Sequence, residues 1–268
     1  TRTIIRANPF KGGTSEFAYP DMGGYDKISK VFAEYITSKG SELNLNTQVK
    51  KIEVKNGKVN GITLASGEFI QGNCVIVTFP SYLAINQLFD SGVFDQKFIK
   101  TVNRLNKTTS VIEVHFALSE KIDSKQIVFP VGKDYVCKGI FFISNITRSV
   151  SPPGEHLMIV GTPVSSEDIK NPQKITEVVT KMKEELSTIY PKFQQVLLWN
   201  RPKAWNLVES VVKEPGLVWK NKMSHEVSQV KGLFFVGDST VSYGIGTDSA
   251  AHSSILCHPK IISYLKNA

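Results

Sequence analysis

The sequence predicts an α+β fold built on a mixed, largely antiparallel sheet with helices. Three observations lead there. Short runs rich in Val, Ile and Phe recur along the chain and outnumber the helix-like segments. Asn56-Gly57 separates two such runs, the pairing that closes a hairpin. Near the C-terminus an apolar run, Leu233-Phe234-Phe235-Val236, is cut by Gly237-Asp238 and passes through a Gly-rich loop into a helix-like tail.

In chain order, Tyr25 to Lys39 reads as a helix stopped by Gly40. Val49 to Val54 and Val59 to Leu64 form the hairpin around Asn56-Gly57, with a third strand at Glu68 to Gln71. Cys74 to Phe79 is nearly all apolar, the pattern of a strand buried on both faces, and Cys74 is expected inside it. A helical region follows, from Tyr82 to Asn103. Strands are then expected at Ser110 to Leu118, Gln126 to Phe129, Cys137 to Ser144 and His156 to Thr162. Gln173 to Tyr190 reads as a helix, because Ile175, Val178, Val179, Met182 and Leu186 recur on one side. Val196 to Trp199 is a strand, and Arg201 to Trp205 a loop or sheet edge.

With 268 residues, 41% of them hydrophobic, the chain can bury one large core or two modest ones. No apolar run approaches the roughly 20 residues of a membrane-spanning helix. The formal charge of +8 comes from scattered lysines such as Lys50, Lys51, Lys55 and Lys58. These form no basic block interleaved with aromatics, so nucleic acid is not an expected partner. A peripheral contact with anionic lipid headgroups stays open. Cys74, Cys137 and Cys257 have neither metal-ligand nor disulfide spacing, which favours a reducing, cytoplasmic setting.

The C-terminal stretch carries the chemistry. Gly237-Asp238 after a strand, then Tyr243-Gly244-Ile245-Gly246-Thr247-Asp248 before a small-residue run, puts a helix N-terminus beside a Gly-rich loop. Free backbone N–H groups there stabilise a phosphate or an anionic ring edge. This order resembles the C-terminal flavin-contact motif of the FAD-dependent amine oxidase and phytoene desaturase superfamily. Gly237-Asp238-Ser239-Thr240 leading to Gly244-Ile245-Gly246 is most similar to its carotenoid desaturase and isomerase branch. Tyr19-Pro20-Asp21-Met22-Gly23-Gly24, the following helix and the strand holding Val49 resemble a second motif of that family.

The resemblance implies FAD as cofactor. Val49 would meet the adenine through its backbone, Gly237 would admit a close backbone approach, and Asp238 would accept hydrogen bonds from the ribityl or pyrophosphate side. Gly246 to Asp248 would offer helix N–H groups to the pyrimidine edge of the flavin. It also implies a discontinuous organisation: 1–82 a portion of the Rossmann-like FAD domain, 83–204 the substrate domain, and 205–268 the C-terminal flavin-contact strand, loop and helix. The family's Gly-x-Gly-x-x-Gly loop does not occur in this sequence, so the chain reads as the back part of a longer flavoprotein that binds FAD weakly or not at all alone.

No catalytic residue and no metal ligand set is evident. Where the amine-oxidase branch carries a flavin-facing lysine, the closest register leads from Ser110-Val111-Ile112 to Glu113, and the C-terminal loop supplies Tyr243 without a second cage aromatic. These departures favour a desaturase, saturase or isomerase acting on an apolar isoprenoid-like molecule. An amine oxidase and a non-catalytic binding protein of the prenyl-GTPase escort kind are the alternatives. Tyr19, Glu113, Trp199, Trp205 and Tyr243 are the candidate substrate-pocket residues. His115 reads as a satisfied sheet histidine, and His252 and His258 share no helical face.

Overall fold

The computed structural model describes residues 24–267 apart from 133, 213–215 and 218. Tyr19 and the rest of the motif up to Gly23 lie outside the described residues. Helix α1 (Tyr25–Ser38) stops just before Gly40, as its sequence predicts. Its apolar side, including Ile28, Phe32 and Tyr35, is exposed. The chain forms two compact units, one of residues 110–206 with the stretch up to Leu43, the other of 44–109 and 207–268.

The first unit is built on a five-stranded sheet in the order β6 (Ile127–Val128), β7 (Gly139–Phe142), β8 (His156–Val164), β5 (Thr109–Leu118) and β9 (Leu197–Glu209). Strands β5 (Thr109–Leu118) and β8 (His156–Val164) are antiparallel neighbours in unbroken register from Ser110↔Val164 to Leu118↔His156. Alternation sorts β5 cleanly: Ile112, Val114 and Phe116 are buried, while Val111, Glu113 and His115 are only partly covered. Helix α5 (Pro172–Ile189) starts where Asn171 Oδ1 accepts from the N–H groups of Gln173 and Lys174, with proline in the first turn. It buries Val178, Val179, Met182 and Leu186 in one core with Ile112, Val114, Phe116, Met158 and Val160. Each such side chain contributes about 1.5–3 kcal/mol by leaving water.

The bounds expected of two strands in this unit are revised. Strand β7 is shorter than Cys137 to Ser144 and spans Gly139–Phe142, antiparallel to both β6 (Ile127–Val128) and β8. The N–H groups of Val136 and Cys137 are claimed by the Glu185 carboxylate at 2.8 Å, so the strand cannot begin there. At the other end Ser144 Oγ accepts from Leu157 N at 2.7 Å, and the chain coils into the short α4 (Ile143–Ile146). Past the short α6 (Phe193–Val196), the strand expected from Val196 starts at Leu197 and runs on as β9 (Leu197–Glu209), so Arg201 to Trp205 lie along the sheet edge, one of the two expected alternatives. An edge position tolerates the missing N–H of Pro202.

The second unit holds a three-stranded antiparallel sheet, β1 (Val49–Lys55), β2 (Lys58–Leu64) and β3 (Phe69–Gln71). Asn56 and Gly57 both have positive φ, 51° and 70°, the type I′ geometry the sequence predicts. Beside it, β4 (Val75–Val77) runs parallel to β10 (Leu233–Phe235). In β10 all three residues are buried, but in β4 Ile76 is 46% exposed. Cys74 is half-buried rather than enclosed. The expectation of a strand covered on both faces fails because Ile76 points to the face opposite Val77, and that face is left uncovered by the described residues.

The helical region from Tyr82 divides into α2 (Ser81–Gln87) and α3 (Gln96–Asn103). Asp95 restarts the helix by accepting from Phe98 N at 2.7 Å. Residues 83–109, expected to begin the middle domain, pack into the second unit's core: Ala84, Ile85, Phe94, Val102 and Leu105 cluster with Val211, Val230, Leu233 and Phe235. All three cysteines are free thiols whose pKa values burial pushes upward, that of Cys257 to about 11.

Candidate functional site

Strand β10 delivers the chain to Gly237-Asp238, and the loop that follows enters helix α7 (Gly246–Asn267). The helix comes close because its inward face is small: Ser249, Ser253 and Cys257, spaced one turn apart, are its buried residues. Hydroxyls then do the work that strand pairing does elsewhere. Ser253 Oγ accepts from Gly237 N at 3.0 Å and lies 2.6 Å from Thr240 Oγ1, which donates to Gly237 O at 2.8 Å. His225, 3% exposed, reaches Ser253 through Nε2 at 3.3 Å, and burial holds its pKa below the usual histidine value.

The Asp238 carboxylate accepts from the backbone N–H of Ser210 at 2.9 Å and, through its other oxygen, from the Ser210 hydroxyl. The carboxylate thus also fixes its own turn. Two acceptor positions are filled by the protein, of the roughly four a carboxylate offers. Lys222, 6% exposed, donates from Nζ to Asp238 O at 2.8 Å, Ser242 Oγ at 2.7 Å and Ser249 Oγ at 3.1 Å. Lys222 also lines a cavity of about 720 Å³ with Phe98, Val102, Leu105, Leu217 and Met223.

The predicted loop residues are therefore brought together at one helix start. Tyr243, Gly244, Ile245, Thr247 and Asp248 are exposed and Gly246 partly so, leaving the first-turn N–H side of α7 open. Gly244 has φ +85°, and a Cβ there would lie 3.1 Å from the Cβ of Asp248, so only glycine lets the loop fold this tightly over the helix. Tyr243 stacks on Trp219 and His252, and its N–H donates to His252 Nδ1 at 2.9 Å. Among the described residues, Ser81 Oγ and Tyr82 Oη are buried without a hydrogen-bond partner. Ser81 N donates to Ser239 Oγ at 3.2 Å, and the Asp238 charge helps raise the Tyr82 pKa after burial. Orphaned hydroxyls beside Asp238 fit a polar group arriving there.

Other predicted residues lie elsewhere. Val49 opens β1, paired with Leu64 in the three-stranded sheet rather than in the β4–β10 pair. Glu113, Trp199 and Trp205 belong to the first unit. There Glu113 Oε1 is 3.0 Å from His115 Nε2, and the His115 bond, followed by that of Trp205, holds the Glu113 carboxyl below the usual range. His115 is the satisfied sheet histidine its sequence suggests. Trp199 and Trp205 are 49% and 45% exposed, so core packing is not their role. No metal-binding cluster of His, Cys, Asp or Glu occurs among the described residues.

Sequence reading missed Ser210, Trp219, Lys222 and His225. They come from segments before the strand and reach the loop only in three dimensions. The one available signal was the hydroxyl series Thr240, Ser242, Ser249 and Ser253, too many polar groups for a close-packed turn without a donor from outside it.

Comparison with known proteins agrees with this geometry. The sequence pattern of the family described as "Flavin containing amine oxidoreductase" matches residues 4–257. A 15-cis-phytoene desaturase of Solanum lycopersicum is 24% identical over 258 residues, covering 92% of this chain and 43% of that protein. A prolycopene isomerase of Daucus carota is 23% identical over 279 residues, covering 92% and 44%. The chain thus spans less than half the length of these curated relatives. Among solved structures, an oxidoreductase from Methanosarcina mazei superposes with a TM-score of 0.70 at 20% identity, covering 88% of this chain and 54% of that one. The strand, loop and helix around Asp238 and the match along nearly the whole sequence lead to one conclusion: the chain belongs to the flavin-containing amine oxidoreductase family.

Proposed function

We propose that this chain supplies the ring-facing part of an FAD site in a flavin-dependent oxidoreductase that desaturates, saturates or isomerises an apolar isoprenoid-like substrate. The observation that carries the reading is the turn at Gly237-Asp238, fixed by Ser210 and Lys222 beside the open start of α7. In such a site FAD carries the electrons. Asp238 has acceptor capacity left for a hydroxyl of the cofactor, the Ser81 and Tyr82 hydroxyls lack partners, and the first-turn N–H groups of α7 suit negative charge on a reduced ring. The choice of substrate class draws on the desaturase and isomerase named among the relatives and on Glu113 in place of a lysine. An apolar substrate of this kind resides in lipid, and a formal charge of +8 suits peripheral contact with anionic headgroups. No described helix is long and apolar enough to cross a membrane, and the three free thiols accord with a reducing compartment.

FAD titration followed by visible absorbance tests the reading, carried out on the protein in which this chain is joined to the family's Gly-x-Gly-x-x-Gly segment, because the chain alone is expected to bind FAD weakly or not at all. The expected outcome is a bound, reducible flavin whose affinity falls about tenfold in Asp238→Ala, the loss of one hydrogen bond to a charged group. A joined protein that neither retains nor takes up flavin sinks it.

A further inference from the structure

We propose that Lys222 is a positioning residue for the flavin-contact turn and that its charge favours the reduced cofactor; the second half rests on the flavin reading above. The ammonium group is buried, and its three N–H donors meet three acceptors: Asp238 O at 2.8 Å, Ser242 Oγ at 2.7 Å and Ser249 Oγ at 3.1 Å. Those acceptors belong to the end of the β10 segment, the middle of the loop and the first turn of α7. One cation therefore fixes the three parts of the predicted cofactor contact relative to one another.

The surrounding hydroxyls are oriented for it. Ser242 donates its own proton to Thr240 O at 2.9 Å, which leaves its lone pairs for Lys222 and Ser249. An apolar side chain would fill this space without the penalty of burying a charge. A cation placed here gains most when negative charge develops nearby, as it does on the pyrimidine edge of a flavin on reduction. Asp238 is held at the same turn by Ser210. Removing the cation alone withdraws one positive charge from that turn and opposes reduction.

Lys222→Met and Lys222→Arg separate this role from plain packing. In the flavin-loaded protein, Lys222→Met is expected to lower the relative affinity for reduced over oxidised flavin about tenfold, a fall of about 30 mV for a two-electron couple, while Lys222→Arg stays near the parent. In the flavin-free protein, amide exchange in 238–249 rises about tenfold in Lys222→Met, with the β1–β2 hairpin unchanged. An unchanged potential overturns the electrostatic role. Unchanged exchange at 238–249, or an equal rise in the hairpin, overturns the positioning role. If the protein joined to the Gly-x-Gly-x-x-Gly segment takes up no flavin, the functional reading and the electrostatic role fall together, and the exchange experiment alone decides positioning.

Discussion

Helices α5 and α7 each cover a β element, yet they are built from opposite materials. Helix α5 buries Val178, Val179, Met182 and Leu186 against the five-stranded sheet. Helix α7 buries Ser249, Ser253 and Cys257 against β10 and its turn. The first arrangement gains by removing apolar area from water. The second gains little that way and obtains a short approach distance and a set of aimed hydrogen bonds. A helix with that lining is suited to holding a backbone turn in one place, which is what a cofactor contact requires.

The sharpest way to break the contrast is to truncate each lining in turn. Leu186→Ala, at a fully buried position, is expected to cost about 2–5 kcal/mol in urea unfolding and to leave flavin affinity almost untouched. Ser253→Ala removes far less volume, but it strips a partner from Gly237 N, Thr240 Oγ1 and His225 Nε2. A loss of about 1–3 kcal/mol is expected, with flavin affinity falling alongside it. Equal effects of the two substitutions on stability and on flavin binding would erase the distinction.

The smallest expected effect is a pH dependence confined to the α7 side. His225 has a depressed pKa in the folded protein, first through burial, then through the positive charge of Lys260 and more weakly Lys222, with Glu226 acting in the opposite sense. The unfolded chain therefore takes up its proton first. Stability from this group is complete above the ordinary histidine pKa of about 6.5 and is lost as pH falls through the lower folded value. Urea midpoints measured from pH 7.5 downward are expected to decline less steeply in His225→Gln than in the parent. Parallel declines would show that His225 does not titrate with unfolding.

This contrast also explains what could be read from the sequence. Helix α5 is periodic, so Val178, Met182 and Leu186 announce both the helix and its buried face. The Asn56-Gly57 turn is likewise local chemistry, and the Gly237 to Asp248 loop is contiguous. Ser210 and Lys222 gave no such signal, because nothing near them in sequence marks them as partners of Asp238. The resemblance puts residues 83–109 with the middle domain, whereas Phe94, Val102 and Leu105 pack by the apolar surface they meet. The strand holding Val49 was equally legible, as one arm of the Asn56-Gly57 hairpin.

Strand β9 carries a consequence of its own. It ends the sheet order, spans 13 residues, and exposes Leu198, Trp199, Trp205 and Val208. An edge that long and that apolar is a template on which another chain could add as a strand, the route to aggregation. Pro202 removes one ladder donor at its middle, and exposed Arg201 and partly covered Lys203 place charge on either side. A charge-flanked proline such as Arg201-Pro202-Lys203 is the sequence feature that opposes strand addition at an edge, here the edge formed among the described residues.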